Sequence, residues 1–444
     1  MPKVGFVSLG CPKNLVDSEV MLGVLTRDGY EITTSPAEAD VIVVNTCAFI
    51  DEAKEESIET VLEMAAYKEH GRCRRLVVAG CLVERYRDEI REQLPEVDAL
   101  VGVNEIKEIA RACRSNGDLP VLDHDGSWFL YSDRDPRILA TPGHTAYVKI
   151  AEGCDHPCTF CVIPRMRGPF RSRRAESVVA EVIDLSRRGV REVNLVAQDS
   201  TMYGWDHGDR RGLANLLDRL GKVDGVEWIR VLYLYPTTLY DELLDIVADS
   251  SKVCKYIDMP LQSASQTVLQ RMKRGGNRRA FLRMLERIRE RIPGVVLRST
   301  FIVGFPGESE EDFEETLEFV EEARFDRLGV FTYSDEEEAA SHRLDGAIPV
   351  ELRRERRARL MEAQKRISLE KNRAWVGRTV PVLLEGPSAE TDLLWQGRMQ
   401  GQAPEIDGVV YLNDGITAET RPGDIRRVLI SEAYEYDLVG AVVP

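Results

Sequence analysis

Short apolar runs alternate with amphipathic stretches along the first third of the chain. Four of the runs have the length and β-branched content of strands buried on both faces: residues 3–8, 41–44, 76–79 and 97–101. Helical spacing of apolar residues fills the intervals between and after them: residues 17–25, 51–68, 83–93 and 106–113. Strands that alternate with helices in this way predict a parallel, Rossmann-like α/β sheet for residues 1–135.

The same alternation continues through residues 140–372. Strands are predicted at residues 146–150, 192–196, 228–233, 256–259, 295–303 and 327–332. Helices are predicted at residues 175–188, 213–223, 239–249, 278–291 and 310–323. Six such units predict a partial TIM-type barrel with its functional groups at the carboxyl ends of the strands. A polar segment broken by prolines, residues 128–142, is predicted as the linker between the two domains.

Beyond residue 372 the helical periodicity stops. Short β-type runs separated by glycine and proline follow at residues 379–384, 408–411, 426–430 and 437–442. They predict a small all-β barrel for residues 373–444. The fold class is therefore α/β, with a domain of residues 1–135, a second of 140–372 and a small β-barrel at the end.

Composition narrows the class of protein. The 444 residues are 43% hydrophobic and 30% charged, which is typical of a soluble globular protein. No apolar run approaches the roughly 20 residues that a membrane span needs, and the first residues lack a signal-peptide pattern, so we expect a cytoplasmic protein with no membrane partner. Nine cysteines without an export signal favour metal ligation or thiol reactivity over a disulfide framework.

Three of the cysteines stand close together in the stretch C-D-H-P-C-T-F-C. Cys154, Cys158 and Cys161 form a compact thiolate set of the kind that holds an iron–sulfur cluster. Three protein ligands leave one iron of a 4Fe–4S cluster open for a substrate or cofactor. The alternative is a zinc site with His156 as the fourth ligand. It is less favoured, because zinc motifs more often use two separated pairs of ligands.

Another three cysteines each come just after a predicted strand. They are Cys11, Cys47 and Cys81. Because the carboxyl ends of parallel strands meet at one edge of a sheet, we expect these thiols to meet in space and to hold a second cluster. The alternative is that all three are buried as small hydrophobic residues, which is common for cysteine. The remaining three, Cys73, Cys113 and Cys254, show no such placement and are predicted to be structural or incidental.

Polar residues and glycines follow three strands of the predicted barrel. Gln198, Asp199 and Ser200 follow the second strand, Gln262 and Ser263 the fourth, and Gly304 and Gly307 the fifth, and all are candidates for holding a cofactor. A dense basic cluster follows the Cys154 loop: Arg165, Arg167, Arg171, Arg173 and Arg174. This cluster is either a solvated surface run or part of the mouth of the site, where it would meet a carboxylate.

Several of these motifs resemble one family. The segments S-L-G-C-P-K-N-L-V-D-S-E, N-T-C-A-F-I-D-E-A-K-E-E-S and V-V-A-G-C-L-V-E-R-Y look like the first domain of the methylthiotransferases, and the Cys154 loop resembles that of the radical S-adenosylmethionine (SAM) superfamily. The family branch that acts on transfer RNA tends to have Y-G-C-Q-M-N at the first cysteine. The branch that acts on a ribosomal protein tends to have S-L-G-C-P-K-N-L-V-D, as here. The final barrel resembles a TRAM domain by its position.

The resemblance implies an activity and a set of cofactors. The activity is addition of a methylthio group to the β-carbon of an aspartate in small-subunit ribosomal protein uS12. The implied cofactors are SAM and two 4Fe–4S clusters, one on Cys154, Cys158 and Cys161 and an auxiliary one on Cys11, Cys47 and Cys81. SAM would be bound by Gln198, Gln262, Ser263 and Gly304, and no acid–base catalytic residue is implied.

Charge separates the two branches further. Residues 373–444 hold six arginines and no lysine against eleven acidic residues, and the whole chain has a formal net charge of −16. A surface that tracks phosphates needs positive charge, so the terminal barrel suits a basic protein better than RNA. The alternatives are methylthiolation of an adenosine in transfer RNA, a non-catalytic iron–sulfur redox or sensing protein, and a zinc-binding scaffold.

Overall fold

The computed structural model describes residues 1–114, 128–391 and 393–444. The first domain is a five-stranded parallel sheet of order β2-β1-β3-β4-β5. Its strands are β1 (Lys3–Ser8), β2 (Glu31–Thr33), β3 (Val41–Thr46), β4 (Arg75–Gly80) and β5 (Ala99–Val101). Its helices are α1 (Pro12–Arg27), α2 (Asp51–Ala65), α3 (Tyr67–His70), α4 (Cys81–Gln93) and α5 (Ile109–Arg114). The predicted α/β class is confirmed.

The central strands of this sheet explain its sequence pattern. Every residue of β3 and β4 is buried, because helices cover both faces of the sheet. The sequence did not predict β2, which has only three residues and is largely exposed, so that it carries no continuous apolar run. It pairs with β1 at the edge of the sheet.

The second domain contains eight strands, of which six are parallel and follow one another in consecutive order. Its strands are β6 (Thr145–Lys149), β7 (Ala151–Glu152), β8 (Arg171–Ser172), β9 (Glu192–Val196), β10 (Trp228–Val231), β11 (Tyr256–Asp258), β12 (Val296–Val303) and β13 (Arg327–Thr332). Strands β6, β9 and β10 form one sheet and β11, β12 and β13 another, and a parallel bridge between Ile229 and Val253 joins them. The result is the predicted partial barrel. The short strands β7 and β8 pair antiparallel beside it.

Helices surround the outside of the second domain. They are α6 (Ile163–Arg167), α7 (Ala175–Arg187), α8 (Gly212–Gly221), α9 (Asp241–Asp249), α10 (Gln266–Arg271), α11 (Arg278–Arg291), α12 (Glu310–Ala323) and α13 (Val350–Arg373). Helices α7, α8, α9, α11 and α12 match the predicted helices, and α13 contains residues 353–373, whose sequence is also helix-like. The short helices α6 and α10 were not predicted. Among the described residues, no helix is long and apolar enough to cross a membrane.

The C-terminal residues form a closed five-stranded barrel, as predicted. Its strands are β14 (Thr379–Pro387), β15 (Trp395–Arg398), β16 (Val410–Asp414), β17 (Ile425–Ala433) and β18 (Leu438–Val442), in the order β14-β15-β16-β18-β17. The sequence did not predict β15, a four-residue strand that contains two polar residues and a glycine. A buried ion pair joins this barrel to the second domain. Arg398 contacts Glu192 at 2.5 Å, and Glu192 also contacts Arg230 at 3.0 Å.

Segment 128–142 connects the first two domains without regular secondary structure. It is not a loose tether, because Tyr131 is buried and Arg137 contacts Glu19 of the first domain and Glu181 of the second, each at 2.5 Å. The division into residues 1–135, 140–372 and 373–444 stays a prediction. All strands of the described residues fall within those ranges.

Candidate functional site

A closed loop presents the first cysteine set. It begins at Gly153, directly after β7, where φ is +82° and an added Cβ would lie 2.1 Å from the carbonyl oxygen of Pro169. Only glycine fits this close approach of two chain segments. The N–H of Cys154 donates to the carbonyl of Gly168 at 3.1 Å, and that of Cys161 donates to the carbonyl of Cys158 at 3.2 Å. The loop is therefore fixed at both ends.

A stack of three side chains holds this loop against the rim of the barrel. The ring of His156 lies on that of Tyr235, with centroids 3.7 Å apart and planes 6° apart, and Arg274 covers Tyr235 at 4.4 Å. Nε2 of His156 lies 2.6 Å from the carboxylate of Asp199. Arg274 also reaches the sulfur of Cys158 at 3.5 Å. His156 thus anchors the loop to the barrel.

The thiols of this set are only partly exposed to water. Burial raises the pKa of Cys154 and of Cys161 to about 12, since a thiolate is poorly solvated there. Such thiols become anionic only when a metal or another cation compensates the charge. The set opens onto a cavity of about 690 Å³, whose opposite wall comes from the segment after β13: Glu337, Glu338, Ala339, Ala340 and Arg343.

The second cysteine set lies at the carboxyl edge of the first domain's sheet. Cys11 immediately precedes α1, Cys47 follows β3, and Cys81 is the first residue of α4. An added Cβ on Gly10 would lie 2.7 Å from that of Cys47, so the loop carrying Cys11 packs directly on Cys47. The three thiols are close enough that Cys11 and Cys81 help burial to raise the pKa of Cys47 to about 12. Cys11 and Cys81 also stand at the N-termini of helices, where the helix dipole favours an anion.

One arginine joins the two sets. Arg167 closes α6, shortly after Cys161, and its Nη2 donates to the sulfur of Cys81 at 3.3 Å. Its Nη1 contacts Asp17 at 2.6 Å and Glu152 at 3.3 Å. Lys149 contacts the same two carboxylates at 2.5 Å, and all four charged side chains are buried. This network, which we call the interdomain ion network, fixes the first domain against the cysteine loop of the second.

The candidate SAM residues fall into two groups. Gln198 follows β9 and donates to Glu152 at 2.6 Å, and Gln262 has a strained φ of +74°. The amide oxygens of both glutamines are buried without a partner among the described residues, as suits groups that await a ligand. Ser263 and Gly304 are engaged internally, by Thr316 at 3.4 Å and Glu308 at 3.0 Å respectively. The 690 Å³ cavity, as bounded by described residues, is not lined by any of these four.

Each of the two interpretations of the basic cluster holds for some of its arginines. Arg167 and Arg173 are buried and paired with carboxylates, whereas Arg165 and Arg174 are exposed. Arg165 also lines the cavity, 3.6 Å from Glu338.

The sequence did not point to Lys149 or Glu152. The signal for Lys149 was a charged residue inside a predicted buried strand, which requires a partner.

The donor set of each site fits an iron–sulfur cluster. Each contains three thiols, and in each a guanidinium N–H points at one sulfur, as suits an anionic cluster. Within the described residues, no group of three or more His, Cys, Asp or Glu side chains is arranged to hold a single metal ion.

Solved structures share the fold of most of the chain. It matches the radical SAM methyltransferase TsrM from Kitasatospora setae with a TM-score of 0.55, at 14% identity over 75% of each chain. It also matches the cobalamin-dependent SAM radical enzyme OxsB with a TM-score of 0.50, at 14% identity over 82% of this chain and 56% of that one. At such identity the likeness concerns the fold alone.

Family models and curated relatives match all three parts of the chain. Residues 3–102 match uncharacterized protein family UPF0004, residues 148–320 the radical SAM superfamily, and residues 376–443 the TRAM domain. The chain is 56% identical to ribosomal protein uS12 methylthiotransferase RimO of Solibacter usitatus, over 99% of this chain and 95% of that protein. It is 50% identical to RimO of Pelotomaculum thermopropionicum over 99% of both. The chain therefore belongs to the RimO family of radical SAM methylthiotransferases.

Proposed function

We propose that this chain transfers a methylthio group to the β-carbon of an aspartate in ribosomal protein uS12. Relatives named as ribosomal protein uS12 methylthiotransferases match 99% of the chain. The observation that carries the proposal is the pairing of two three-cysteine sets across one interface, joined by Arg167. A reaction that removes hydrogen from one carbon and then delivers sulfur to it needs two centres that face a common substrate.

As a radical SAM enzyme the chain uses a 4Fe–4S cluster and SAM. We assign that cluster to Cys154, Cys158 and Cys161. When bound, it supplies the electron that cleaves SAM to the radical needed to break an unactivated C–H bond. Gln198 and Gln262 would orient SAM through the amide oxygens that lack a protein partner.

We assign an auxiliary 4Fe–4S cluster, which would carry the sulfur that is transferred, to Cys11, Cys47 and Cys81. The chain's own contribution is to hold these thiols at one sheet edge and to provide Arg167 as a positive charge beside one sulfur. The interdomain ion network keeps this edge at a fixed position relative to the cysteine loop. Sulfur and SAM are thus presented from opposite sides of one interface.

Docking of the substrate involves the acidic C-terminal barrel. Its six arginines are outnumbered by eleven acidic residues, and two of the arginines, Arg398 and Arg426, are paired with nearby carboxylates. A basic ribosomal protein complements such a surface, whereas a phosphate backbone does not. We therefore propose that the substrate is a basic protein and not an RNA.

The proposal is tested by anaerobic incubation of reconstituted protein with SAM, a reductant and either purified uS12 or unmodified transfer RNA. Mass spectrometry should find a methylthio group on an aspartate of uS12 and none on RNA. A modified adenosine would overturn the substrate assignment. Absence of SAM cleavage under reducing conditions would instead favour the redox interpretation of the clusters.

A further inference from the structure

Lys13 is a buried lysine that has no carboxylate partner among the described residues. Its side chain belongs to the first domain but crosses the interface, and the residue is only 8% exposed. The ammonium lies 3.5 Å from the centroid of the Tyr233 ring and 3.5 Å from the carbonyl oxygen of Ala197. Among the described residues, no carboxylate lies within ion-pair distance of it. Three N–H donors therefore share one acceptor at the outer limit of hydrogen bonding.

Other buried cations that cross the same interface are all paired. Lys149 and Arg167 share Asp17 and Glu152, Arg137 contacts Glu19 and Glu181, and Arg85 contacts Glu336 and Glu338. Cys11 acts on Lys13 through space, and so do two carboxylates, both of which are engaged elsewhere. Glu152 belongs to the interdomain ion network, and Asp258 contacts Arg298 at 2.6 Å. An acidic ligand brought into this interface would meet an amine whose N–H donors are not taken up by a protein carboxylate among the described residues.

The position of Lys13 matches the place where the reaction must occur. It lies two residues after Cys11, at the edge of the sheet that carries the auxiliary cysteines. Its ammonium contacts the rim of the barrel, where Ala197 follows β9 and Tyr233 follows β10. Tyr233 adopts a φ of +62°, a conformation that is unfavourable for a tyrosine and that clusters at ligand sites. The ammonium thus stands between the two centres.

We propose that Lys13 binds the side-chain carboxylate of the substrate aspartate and so selects an acidic residue for methylthiolation. The inference rests on the proposed function, because it presumes that the acceptor is the β-carbon of an aspartate. That carbon is bonded directly to the carboxylate carbon, so the pocket that holds one also holds the other. A carboxylate moved out of water requires a cation, and Lys13 is the unpaired one at this position.

The test compares two substrates with three enzymes. The substrates are uS12 with its target aspartate and uS12 with asparagine at that position, which keeps the β-carbon and removes the charge. The enzymes are the unaltered holoenzyme, Lys13→Met and Lys13→Arg. We expect the unaltered enzyme to prefer the aspartate form on the order of 100-fold in kcat/KM, because a buried charge pair is lost with asparagine. Lys13→Met should reduce this preference to less than tenfold, and Lys13→Arg should keep part of it.

A matched control separates substrate binding from a purely structural effect. Lys54→Met also removes a lysine that crosses from the first domain to the second, but Lys54 is already paired with Glu336 at 3.0 Å. It should leave the preference for aspartate over asparagine unchanged. The iron content of each variant and its rate of SAM cleavage without uS12 report whether both cysteine sites are intact. Binding of both uS12 forms, measured without reductant, gives the same comparison in the absence of turnover.

The outcomes distinguish this inference from the proposed function. If the unaltered enzyme modifies uS12 and Lys13→Met slows both forms equally, Lys13 has a structural role or serves the auxiliary cluster, and the inference is overturned alone. If the unaltered enzyme modifies neither form, the proposed function fails first. A preference that collapses only in Lys13→Met supports both.

Discussion

Nη2 of Arg167 donates to the sulfur of Cys81 at 3.3 Å, although the two residues are 86 positions apart and belong to different domains. The contact ties the end of the Cys154 loop to the cysteine set of the neighbouring sheet. Burial raises the pKa of the Cys81 thiol, and the nearby guanidinium opposes that effect. Arg167 therefore favours the anionic form that a cluster ligand must adopt.

The charge of Arg167 should tune the auxiliary cluster. In a Cys154/Cys158/Cys161→Ala background, which isolates that cluster, Arg167→Gln should lower its midpoint reduction potential on the order of tens of millivolts, because a cation beside a ligand stabilises the reduced state. A redox titration followed by electron paramagnetic resonance measures the shift. Arg167→Lys should lose less, and Arg165→Gln, which changes an exposed arginine of the same segment, should cause no shift. Equal potentials in Arg167→Gln and its background would contradict this prediction.

The two cysteine sets should be separable by their products. Replacement of Cys154, Cys158 and Cys161 by alanine should abolish SAM cleavage and remove about half of the bound iron. Cys47→Ala should still cleave SAM but transfer no methylthio group, because the cluster that would carry the transferred sulfur is lost. Chromatography of the cleavage products and mass spectrometry of uS12 measure both activities. Cys254→Ala is the matched control, since this buried cysteine belongs to neither set, and it should keep its full iron content.

His156 distinguishes the iron–sulfur assignment from the zinc alternative. Because its ring stacks on Tyr235 and contacts Asp199, His156→Ala should cost about 1–2 kcal/mol of stability. The amount of iron bound per chain should stay the same, because the ring is a support and not a ligand. Metal analysis of the purified variant, with its unfolding midpoint, tests this expectation. If the unaltered protein binds zinc and His156→Ala loses it, the zinc alternative would be supported instead.

Packing of the terminal barrel on the second domain should weaken at acid pH, because Glu192 becomes protonated. Burial acts to raise the pKa of this carboxyl, but the charges of Arg398 and Arg230 outweigh it and lower the pKa from 4.5 to about 2. A group whose pKa is depressed by folding contributes stability above its unfolded value. That contribution, on the order of 3 kcal/mol, is lost as the pH falls from about 4.5 to 2.

Urea unfolding at a series of pH values measures this effect. Glu192→Gln should lower the free energy of unfolding at pH 7 by about 3–5 kcal/mol, since it leaves Arg398 and Arg230 buried without full compensation. Its stability should also depend less on pH between 5 and 3. Glu227→Gln, which breaks an exposed pair with Arg191, is expected to change stability by less than about 1 kcal/mol. A Glu192→Gln protein as stable as the unaltered one would contradict the prediction.

The sequence was sufficient for elements whose pattern is local. Continuous apolar runs identified β3 and β4, and their order along the chain placed Cys47 and Cys81 at one sheet edge. It was insufficient where a residue acts across domains. The pairing of Lys149 with Asp17 spans 132 positions, so no periodicity reveals it. The unpaired state of Lys13 is likewise visible only after every neighbouring carboxylate has been placed.

Strand β15 shows another kind of limit. Its four residues, from Trp395 to Arg398, include two polar residues and a glycine, and neither helical nor strand periodicity is evident in so short a segment. Gly397 is required because an added Cβ would lie 2.5 Å from the carbonyl oxygen of Leu383 on β14. Glycine is needed here for the barrel to close. Closure depends on how all the strands assemble, so the sequence of β15 alone does not reveal it.

The interdomain ion network also implies an order of assembly. Asp17 is synthesised well before Lys149, Glu152 and Arg167, and N-terminal domains generally fold first during synthesis. The two later cations cannot enter a dry interface without the early carboxylate. The Cys154 loop therefore reaches its final shape only on a first domain that has already folded. A substitution that displaces Asp17 is therefore expected to disturb the second domain as well as the first, because it leaves two buried cations of the second domain short of a partner.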